Sequence, residues 1–204
     1  MVPWLQPLTA ALLTVWGMPL SVGDLLGFAS GIVCVGLTVR ASIWNFPAGI
    51  VNSIVLGLVF LQTRLFADAA LQILFVALSL QGWWLWAHGR GGRPGDPVGR
   101  TSAKQHAILL TGVAVAIPVL WWGLTEIKGA SPLIDAAITA GSVAAQLLLN
   151  QRRLESWIWW IAIDLVSIPL YWARGLPLIS VLYMVFLCMC LRGWTSWREL
   201  PVAR

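Results

Sequence analysis

The sequence predicts an all-α membrane protein with seven transmembrane helices. Its 204 residues are 59% hydrophobic and only 10% charged, whereas soluble domains carry about 25% charged residues. The apolar residues form continuous runs of about 17–22 residues, which is the length that a helix needs to cross a bilayer. A transmembrane β-barrel would instead alternate apolar and polar residues along each strand. Length and composition therefore favour one compact bundle of spanning helices.

The seven predicted spans follow one another with short loops and one longer linker. In chain order they are Val22–Val39, Trp44–Leu61, Leu65–Trp86, His106–Leu124, Pro132–Leu149, Trp157–Ala173 and Leu176–Trp194. The first span is rich in glycine and other small residues, which allow neighbouring helices to approach closely. Pro47 falls in the first turn of the second span, where a helix tolerates proline because the missing N–H has no partner to lose.

Three further segments do not span. The apolar run Leu8–Met18 is too short to cross a bilayer, so residues 1–20 are predicted to be an interfacial N-terminal segment with an interfacial or re-entrant helix. Trp4 and Trp16 are its expected headgroup-level anchors. Residues 88–105 are rich in glycine and basic residues and are predicted to be a flexible, exposed cytoplasmic linker. Residues 198–204 are predicted to be a cytoplasmic tail. No Lys or Arg precedes the first apolar run, so no signal peptide is predicted.

The basic residues predict the orientation of the bundle. If seven spans alternate across the membrane, ten of the 13 lysines and arginines fall on one side. The other side holds Arg64, Lys128 and Arg174. Because cytoplasmic loops carry the excess of basic residues, the N-terminus is predicted outside and the C-terminus in the cytoplasm.

The chain also repeats itself at an offset of 111 residues. Leu80, Gly82, Trp83 and Trp86 of the third span meet Leu191, Gly193, Trp194 and Trp197 at the end of the seventh. The predicted organisation is therefore a three-helix repeat over 21–87, a linking helix and loop over 106–130, and a second three-helix repeat over 131–197. An odd linking helix makes the two triplets parallel. Parallel repeats of this kind occur in transporters, with the substrate site between the repeats near the midplane.

Few polar residues lie within the spans, and they fall on shared helix faces. Trp157, Trp160 and Asp164 are spaced i, i+3 and i+7, so they share one face of the sixth span. A carboxylate at mid-depth costs about 3 kcal/mol on insertion scales, which favours a polar cavity over simple packing. Two aromatic surfaces beside one acceptor suit a ligand with a ring and hydroxyls. The other candidate binding residues are Asn45, Asn52, Asp68, Gln72, Gln146 and Tyr183.

Other polar residues in the spans have plainer interpretations. Ser79, Thr139, Ser142 and Ser167 are expected to make interhelical hydrogen bonds. Asp68 and Asp135 lie near span ends, where solvation explains a carboxylate as well as function does. Cys34, Cys188 and Cys190 lie inside apolar runs, so packing or lipid-facing roles are predicted rather than disulfides.

Several functional classes lack their sequence signatures. Both histidines lie in or beside the linker, so no intramembrane metal site is predicted. There is no phosphate loop of the Walker type and no nucleophile with a neighbouring base, so neither an enzyme nor a cofactor is predicted. The net charge of +5 is spread over short loops and does not indicate nucleic-acid binding. Basic side chains lie outside the spans, which disfavours a doubly charged phosphate as cargo.

The motifs together resemble the PnuC family of bacterial vitamin transporters. The residues that carry the resemblance are 44–50 (WNFPAGI), 60–72 (FLQTRLFADAALQ), Gly82-Trp83, 157–164 (WIWWIAID) and Gly193-Trp194. The resemblance covers about residues 20–198. It implies a 3+1+3 fold similar to a duplicated SWEET-type repeat, as a homotrimer in the bacterial inner membrane. It also implies facilitated diffusion of nicotinamide riboside without ion or ATP coupling, followed by trapping through cytoplasmic phosphorylation.

The candidate residues fit this substrate. The cationic pyridinium can stack on Trp157 or Trp160, and the ribose hydroxyls can bond to Asp164, Gln72 or Asn52. Riboflavin and thiamine, which relatives carry, remain alternative cargoes because they also combine rings with hydroxyls. A substrate-binding subunit for a separately energised uptake complex is a second alternative, and a structural membrane scaffold is a third.

Overall fold

The computed structural model describes residues 6–62, 66–89, 96–127 and 131–201. Within these ranges, seven helices are long and apolar enough to cross a membrane, in agreement with the seven predicted spans. The chain divides into two compact units, Met1–Gly92 and Arg93–Arg204. Trp4, Arg64 and Lys128, to which the sequence assigns interfacial or loop positions, lie outside the described residues.

The first unit contains three long helices after a short N-terminal element. The helical turn α1 (Gln6–Thr9) precedes two strands, and the long helices are α2 (Val22–Val39), α3 (Asn45–Gln62) and α4 (Phe66–Ala87). Ser21 caps α2, because its Oγ accepts from the Asp24 N–H while the Asp24 carboxylate accepts from the Ser21 N–H. This reciprocal capping box fixes where α2 begins.

The N-terminal segment differs from the predicted helix. Strand β1 (Ala11–Val15) pairs antiparallel with β2 (Met18–Ser21), so the interpretation of Leu8–Met18 as an interfacial or re-entrant helix is wrong. Trp16 and Gly17 form the turn, with φ of 52° and 78°. Two successive positive φ angles match the right-handed twist of a two-residue hairpin. The apolar run is therefore a hairpin whose reversal depends on the left-handed conformation of Trp16 and Gly17.

The second unit contains the other four helices. They are α5 (Ala103–Glu126), α6 (Pro132–Asn150), α7 (Ser156–Ala173) and α8 (Pro177–Arg198). Ser102 and Gln105 form a capping box at the start of α5. Proline occupies the first position of α6 and of α8, where its fixed φ suits a helix start. Gly175 has a φ of 72° and lets the chain reverse after α7.

The bounds of α2–α4 and α6–α8, which we name the first and second triplets, share one offset. Helix α3 maps onto α7, and α4 onto α8, at both ends when the numbering is shifted by 111 residues. Helix α2 and α6 end at equivalent residues, Val39 and Asn150. Each triplet is a sequence of three consecutive packed helices.

The loops between the first and second helices of each triplet have the same conformation. Ala41 and Arg152, which are equivalent by the offset, have φ of 51° and 54°. Ala41 N donates to Thr38 O at 2.8 Å, and Arg152 N donates to Leu149 O at the same distance. A left-handed residue that is not glycine is uncommon. Its occurrence at equivalent positions indicates that one backbone turn is used twice.

An aromatic pair below each turn is also equivalent. Phe46 meets Trp86 edge to face, with ring centroids 5.0 Å apart. Trp157 meets Trp197 in the same way at 5.4 Å. All four side chains are buried. Edge-to-face contact between aromatic rings adds about 0.5–1.5 kcal/mol to area burial, so each pair fixes the second helix of its triplet against the third.

The end of the linker is bound to the α6–α7 loop of the second triplet. In this strap, which we define as residues 96–101, Gly99 N donates to Arg152 O at 3.0 Å and Gly99 O accepts from Leu154 N at 3.1 Å. Val98 N donates to Pro201 O at 2.7 Å. Val98 is only 4% exposed, so this part of the linker is docked, in contrast to the exposed linker that the sequence predicts.

The strap also lies beside a buried cation. Arg152 is 1% exposed, and its guanidinium lies over the Trp197 ring, 5.8 Å from the centroid. Burial lowers the pKa of Arg152, and the nearby Asp96 carboxylate opposes that shift. The strap therefore places a carboxylate beside a charge that burial disfavours.

Glu155 is expected to hold the strap in place. Its Oε2 accepts from the Thr101 N–H at 3.0 Å and from the Thr101 hydroxyl at 2.8 Å. Hydrogen bonds to a charged acceptor contribute about 1.5–3 kcal/mol, so Glu155→Ala should lower the free energy of unfolding by about 2 kcal/mol. Thermal unfolding in detergent measures this. Glu126→Ala, at an exposed carboxylate, is the control, and equal melting temperatures for the two variants would show that the strap adds nothing to stability.

Candidate functional site

Helix α7 carries a carboxylate into the interior of the second unit. Asp164 is only 3% exposed, and it lies one helical face away from solvent, against α8. The Cys190 thiol of α8 lies beside its carboxylate. The predicted cavity-forming residue is therefore buried, and its nearest polar neighbour is a thiol rather than a basic side chain.

A stripe of buried polar atoms runs along the same face of α7. Among the described residues, Trp157 Nε1, Asp164 Oδ2 and Ser167 Oγ have no hydrogen-bond partner. Ser167 is 0% exposed. The Tyr183 hydroxyl lies near it, but the two are not in hydrogen-bonding geometry. Burying a polar group without a hydrogen bond costs about 1–3 kcal/mol, so this stripe is suited to a polar ligand.

Ser167 is a correction to the sequence analysis. An interhelical hydrogen bond is expected there, and the described residues provide none. Ser180, which is equally buried, does make such a bond: its Oγ donates to Ile168 O at 2.9 Å. The spacing of three residues from Asp164 was the available signal for Ser167, because i and i+3 share a face.

Aromatic rings border this stripe. Tyr171 of α7 and Tyr183 of α8 stack with centroids 5.2 Å apart and planes 18° apart. Phe186 meets Tyr183 edge on at 6.0 Å. The sequence pointed to Tyr183 but not to Tyr171, although Tyr171 is seven residues from Asp164 and therefore on its face. The stripe thus combines a carboxylate, two hydroxyl groups and flat rings.

The outer end of this aromatic group is fixed by an ion pair. Arg174 donates from Nη2 to both carboxylate oxygens of Asp135 at 2.9 Å. The Arg174 guanidinium also lies over the Tyr171 ring at 5.8 Å. Asp135 is thus paired with a cation, and the ion pair ties the start of α6 to the loop after α7.

The two candidate tryptophans have different surroundings. Trp157 is 1% exposed; Trp197 covers it edge on, and Gly193 abuts the six-membered part of the indole. Trp160 is only half-buried. Protein already surrounds the Trp157 ring, so Trp160 has more surface available for stacking. Substrate contact by either ring stays a prediction.

Gln146 lies on α6 and bonds within its own helix. Its Nε2 donates to Asn150 Oδ1 at 3.0 Å. Helix α6 reaches α7 through Gly141, where a Cβ would lie 3.5 Å from Ile163. The predicted polar stripe of α6 therefore includes one internal amide pair and, at its start, the ion pair of Asp135.

The remaining candidates lie in the first unit. Asn52 Nδ2 donates to Gly27 O at 2.8 Å and to Ser30 Oγ at 2.9 Å, which ties α3 to α2. Asn45 Nδ2 donates to Ser42 O at 2.7 Å and thereby supports the loop before α3. Both amides thus have structural partners, and substrate contact by either stays a prediction.

Gln72 and Asp68 lie on α4. A Cβ at Gly57 would lie 3.4 Å from the Gln72 Cβ, so Gln72 packs where α3 has no side chain. Asp68 is exposed in the first turn of α4. Of the nine candidates, the structure brings Asp164 and Tyr183 into one cluster. No group of three or more potential metal ligands occurs in the described part of the chain.

Comparisons with known proteins give consistent matches. The model of a family described as nicotinamide mononucleotide transporter matches residues 21–199. The nicotinamide riboside transporter PnuC of Escherichia coli strain K12 is 25% identical over 207 residues, covering 89% of this chain and 87% of the relative. The riboflavin/roseoflavin transporter RibM of Streptomyces davaonensis is 26% identical, covering 85% of this chain and 83% of RibM.

A solved structure has a similar fold. The crystal structure of the vitamin B3 transporter PnuC aligns with a TM-score of 0.70 at 21% identity, covering 87% of this chain and 80% of that chain. At this identity the match supports the arrangement of helices and leaves the site to be argued from the residues.

Proposed function

We propose, from the premise that this chain belongs to the nicotinamide mononucleotide transporter family, that it carries nicotinamide riboside across the bacterial inner membrane. The chain is a multi-pass membrane protein with seven apolar helices in its described part. The observation that carries the substrate assignment is the buried Asp164 carboxylate, whose Oδ2 has no hydrogen-bond partner among the described residues. A cationic pyridinium compensates that charge, and ribose hydroxyls can donate to it.

The same carboxylate argues against a phosphorylated substrate. A phosphate dianion carries negative charge, and Asp164 would repel it. Around Asp164 the described side chains of α7 and α8 are hydroxyls, a thiol and aromatic rings. The nearest described ion pair uses Arg174 for Asp135. We therefore favour the riboside over the mononucleotide that appears in the family's description.

Riboflavin is the second candidate. A relative is named as a riboflavin/roseoflavin transporter, and the stacked Tyr171 and Tyr183 are suited to a large neutral ring. Riboflavin has hydroxyls that can donate to Asp164, but its neutral ring does not offset the carboxylate charge. This charge difference decides for nicotinamide riboside.

The proposed mechanism is facilitated diffusion by a 3+1+3 pseudo-repeat of parallel triplets, with the N-terminus outside and the C-terminus in the cytoplasm. The shared offset of 111 residues supports the repeat. The excess of basic residues on one side supports the orientation. The family resemblance supports a SWEET-like fold and a homotrimer. A separate cytoplasmic enzyme phosphorylates the riboside and traps it, so transport needs neither ion nor ATP coupling.

The test uses the purified protein and a panel of compounds. Nicotinamide riboside is expected to raise the melting temperature more than thiamine, riboflavin or nicotinamide mononucleotide, because ligands that bind only the folded state stabilise it. A larger shift with riboflavin would replace the substrate assignment, and no shift with any compound would favour a structural scaffold.

Reconstitution tests the transport mechanism. Protein alone in vesicles is expected to equilibrate nicotinamide riboside without an ion gradient or ATP. Binding without equilibration would support a substrate-binding subunit that needs a separate energising complex. Empty vesicles provide the control for leakage.

A further inference from the structure

Ser167 is a buried hydroxyl for which the described protein provides no hydrogen bond. It is 0% exposed, and its Oγ has no partner. Ser180 is buried to the same extent but bonds to Ile168 O at 2.9 Å. The bundle can therefore satisfy a buried serine, and leaving a hydroxyl unsatisfied is costly. The contrast between the two serines points to a ligand at Ser167.

The position of Ser167 relative to Asp164 defines what such a ligand must offer. Residues spaced i and i+3 on a helix have Cβ atoms about 5–6 Å apart on one face. Asp164 accepts hydrogen bonds when ionised, whereas a serine hydroxyl both donates and accepts. Two neighbouring hydroxyls of a sugar can meet this pair, one at the carboxylate and one at the serine.

We propose that Ser167 is a specificity-determining residue that contacts one hydroxyl of the ribose while Asp164 contacts its neighbour. The assignment rests on the proposed function, because it takes nicotinamide riboside as the substrate. It goes beyond that function by naming which atom of this chain distinguishes a riboside from a deoxyriboside. Tyr183, whose hydroxyl lies near Ser167, covers the side of the site that faces α8.

Binding of three compounds to Ser167→Ala tests this assignment. The compounds are nicotinamide riboside and its 2′-deoxy and 3′-deoxy analogues, measured on purified protein. Removing a neutral hydrogen bond is expected to weaken riboside binding about tenfold. One of the two analogues lacks the hydroxyl that Ser167 contacts, so its affinity should be the same for Ser167→Ala and wild type. Ser167→Thr keeps the hydroxyl and should restore riboside binding.

Two other serines provide controls. Ser156 is also buried with an unpartnered Oγ, but it lies at the start of α7, and Ser156→Ala should bind all three compounds like wild type. Ser180→Ala removes a protein hydrogen bond, so it should lower the melting temperature, whereas Ser167→Ala should not.

The outcomes separate this assignment from the proposed function. If Ser167→Ala weakens all three compounds equally, or lowers the melting temperature as Ser180→Ala does, Ser167 is a packing residue and the assignment is overturned. Unchanged riboside binding by Ser167→Ala overturns it as well. If wild-type protein binds none of the three compounds, the proposed function fails and the assignment fails with it.

Discussion

Asp164→Asn is expected to weaken binding of nicotinamide riboside about 10- to 100-fold, because it removes the negative charge that a pyridinium cation meets. A hydrogen bond to a charged group contributes about 1.5–3 kcal/mol, and each 1.4 kcal/mol is about a tenfold change in affinity. Asparagine keeps the size of the side chain, so the change isolates charge. Uptake into vesicles and direct binding both measure the effect.

Stability should change in the opposite direction. Asp164 is 3% exposed and pairs with no basic side chain in the described part of α7 and α8, so an amide is easier to bury than the carboxylate. Asp164→Asn should therefore melt at or above the wild-type temperature. The matched control is Glu126→Gln, an exposed carboxylate at the end of α5. If Asp164→Asn keeps riboside affinity, or loses affinity together with stability, Asp164 does not bind the cation.

Gly193→Val is expected to have the largest effect on stability. A Cβ at Gly193 would lie 2.6 Å from Cζ3 of Trp157, well below any real contact distance. The ring cannot give way, because Trp197 covers it edge on and it is 1% exposed. Overpacking of this kind costs about 1–3 kcal/mol and occasionally more. A lower melting temperature and reduced yield of folded protein measure it.

Gly141→Ala is the control for Gly193. A Cβ at Gly141 would lie 3.5 Å from Ile163, which is an ordinary contact, and alanine favours a helix over glycine by about 1 kcal/mol. Gly141→Ala should therefore be as stable as wild type or slightly more stable. A Gly193→Val protein that melts like Gly141→Ala would mean that Trp157 is not fixed against α8.

The helices could be predicted from the sequence because each depends mainly on its own composition. Val22–Val39 was predicted with the bounds that the structure has, since a long apolar run with a serine cap specifies a spanning helix locally. The N-terminal hairpin was missed because its reversal depends on the φ angles of Trp16 and Gly17. An apolar run of that length gives no periodic signal that separates strand from helix.

The site could be predicted only in part. The burial of Asp164 agrees with the expectation that its helix face is enclosed. The neighbours Cys190 and Tyr183 come from α8, and no spacing within α7 specifies which residues of another helix lie opposite. Trp157 shares the face of Asp164, as predicted, but sequence alone did not show that Gly193 and Trp197 enclose its ring. Partners that are distant in sequence are fixed by packing, which one chain of residues does not state.

The strap has a consequence for the order in which the protein is made. The hydrogen bonds that shape the loop before α3 join residues 36–46, so they can form as soon as that segment leaves the ribosome. Val98 must wait for Pro201, which follows α8 in the chain. We therefore expect the loop of the first triplet to be set early in synthesis. The equivalent loop of the second triplet acquires its last partner only after the seventh spanning helix has been inserted.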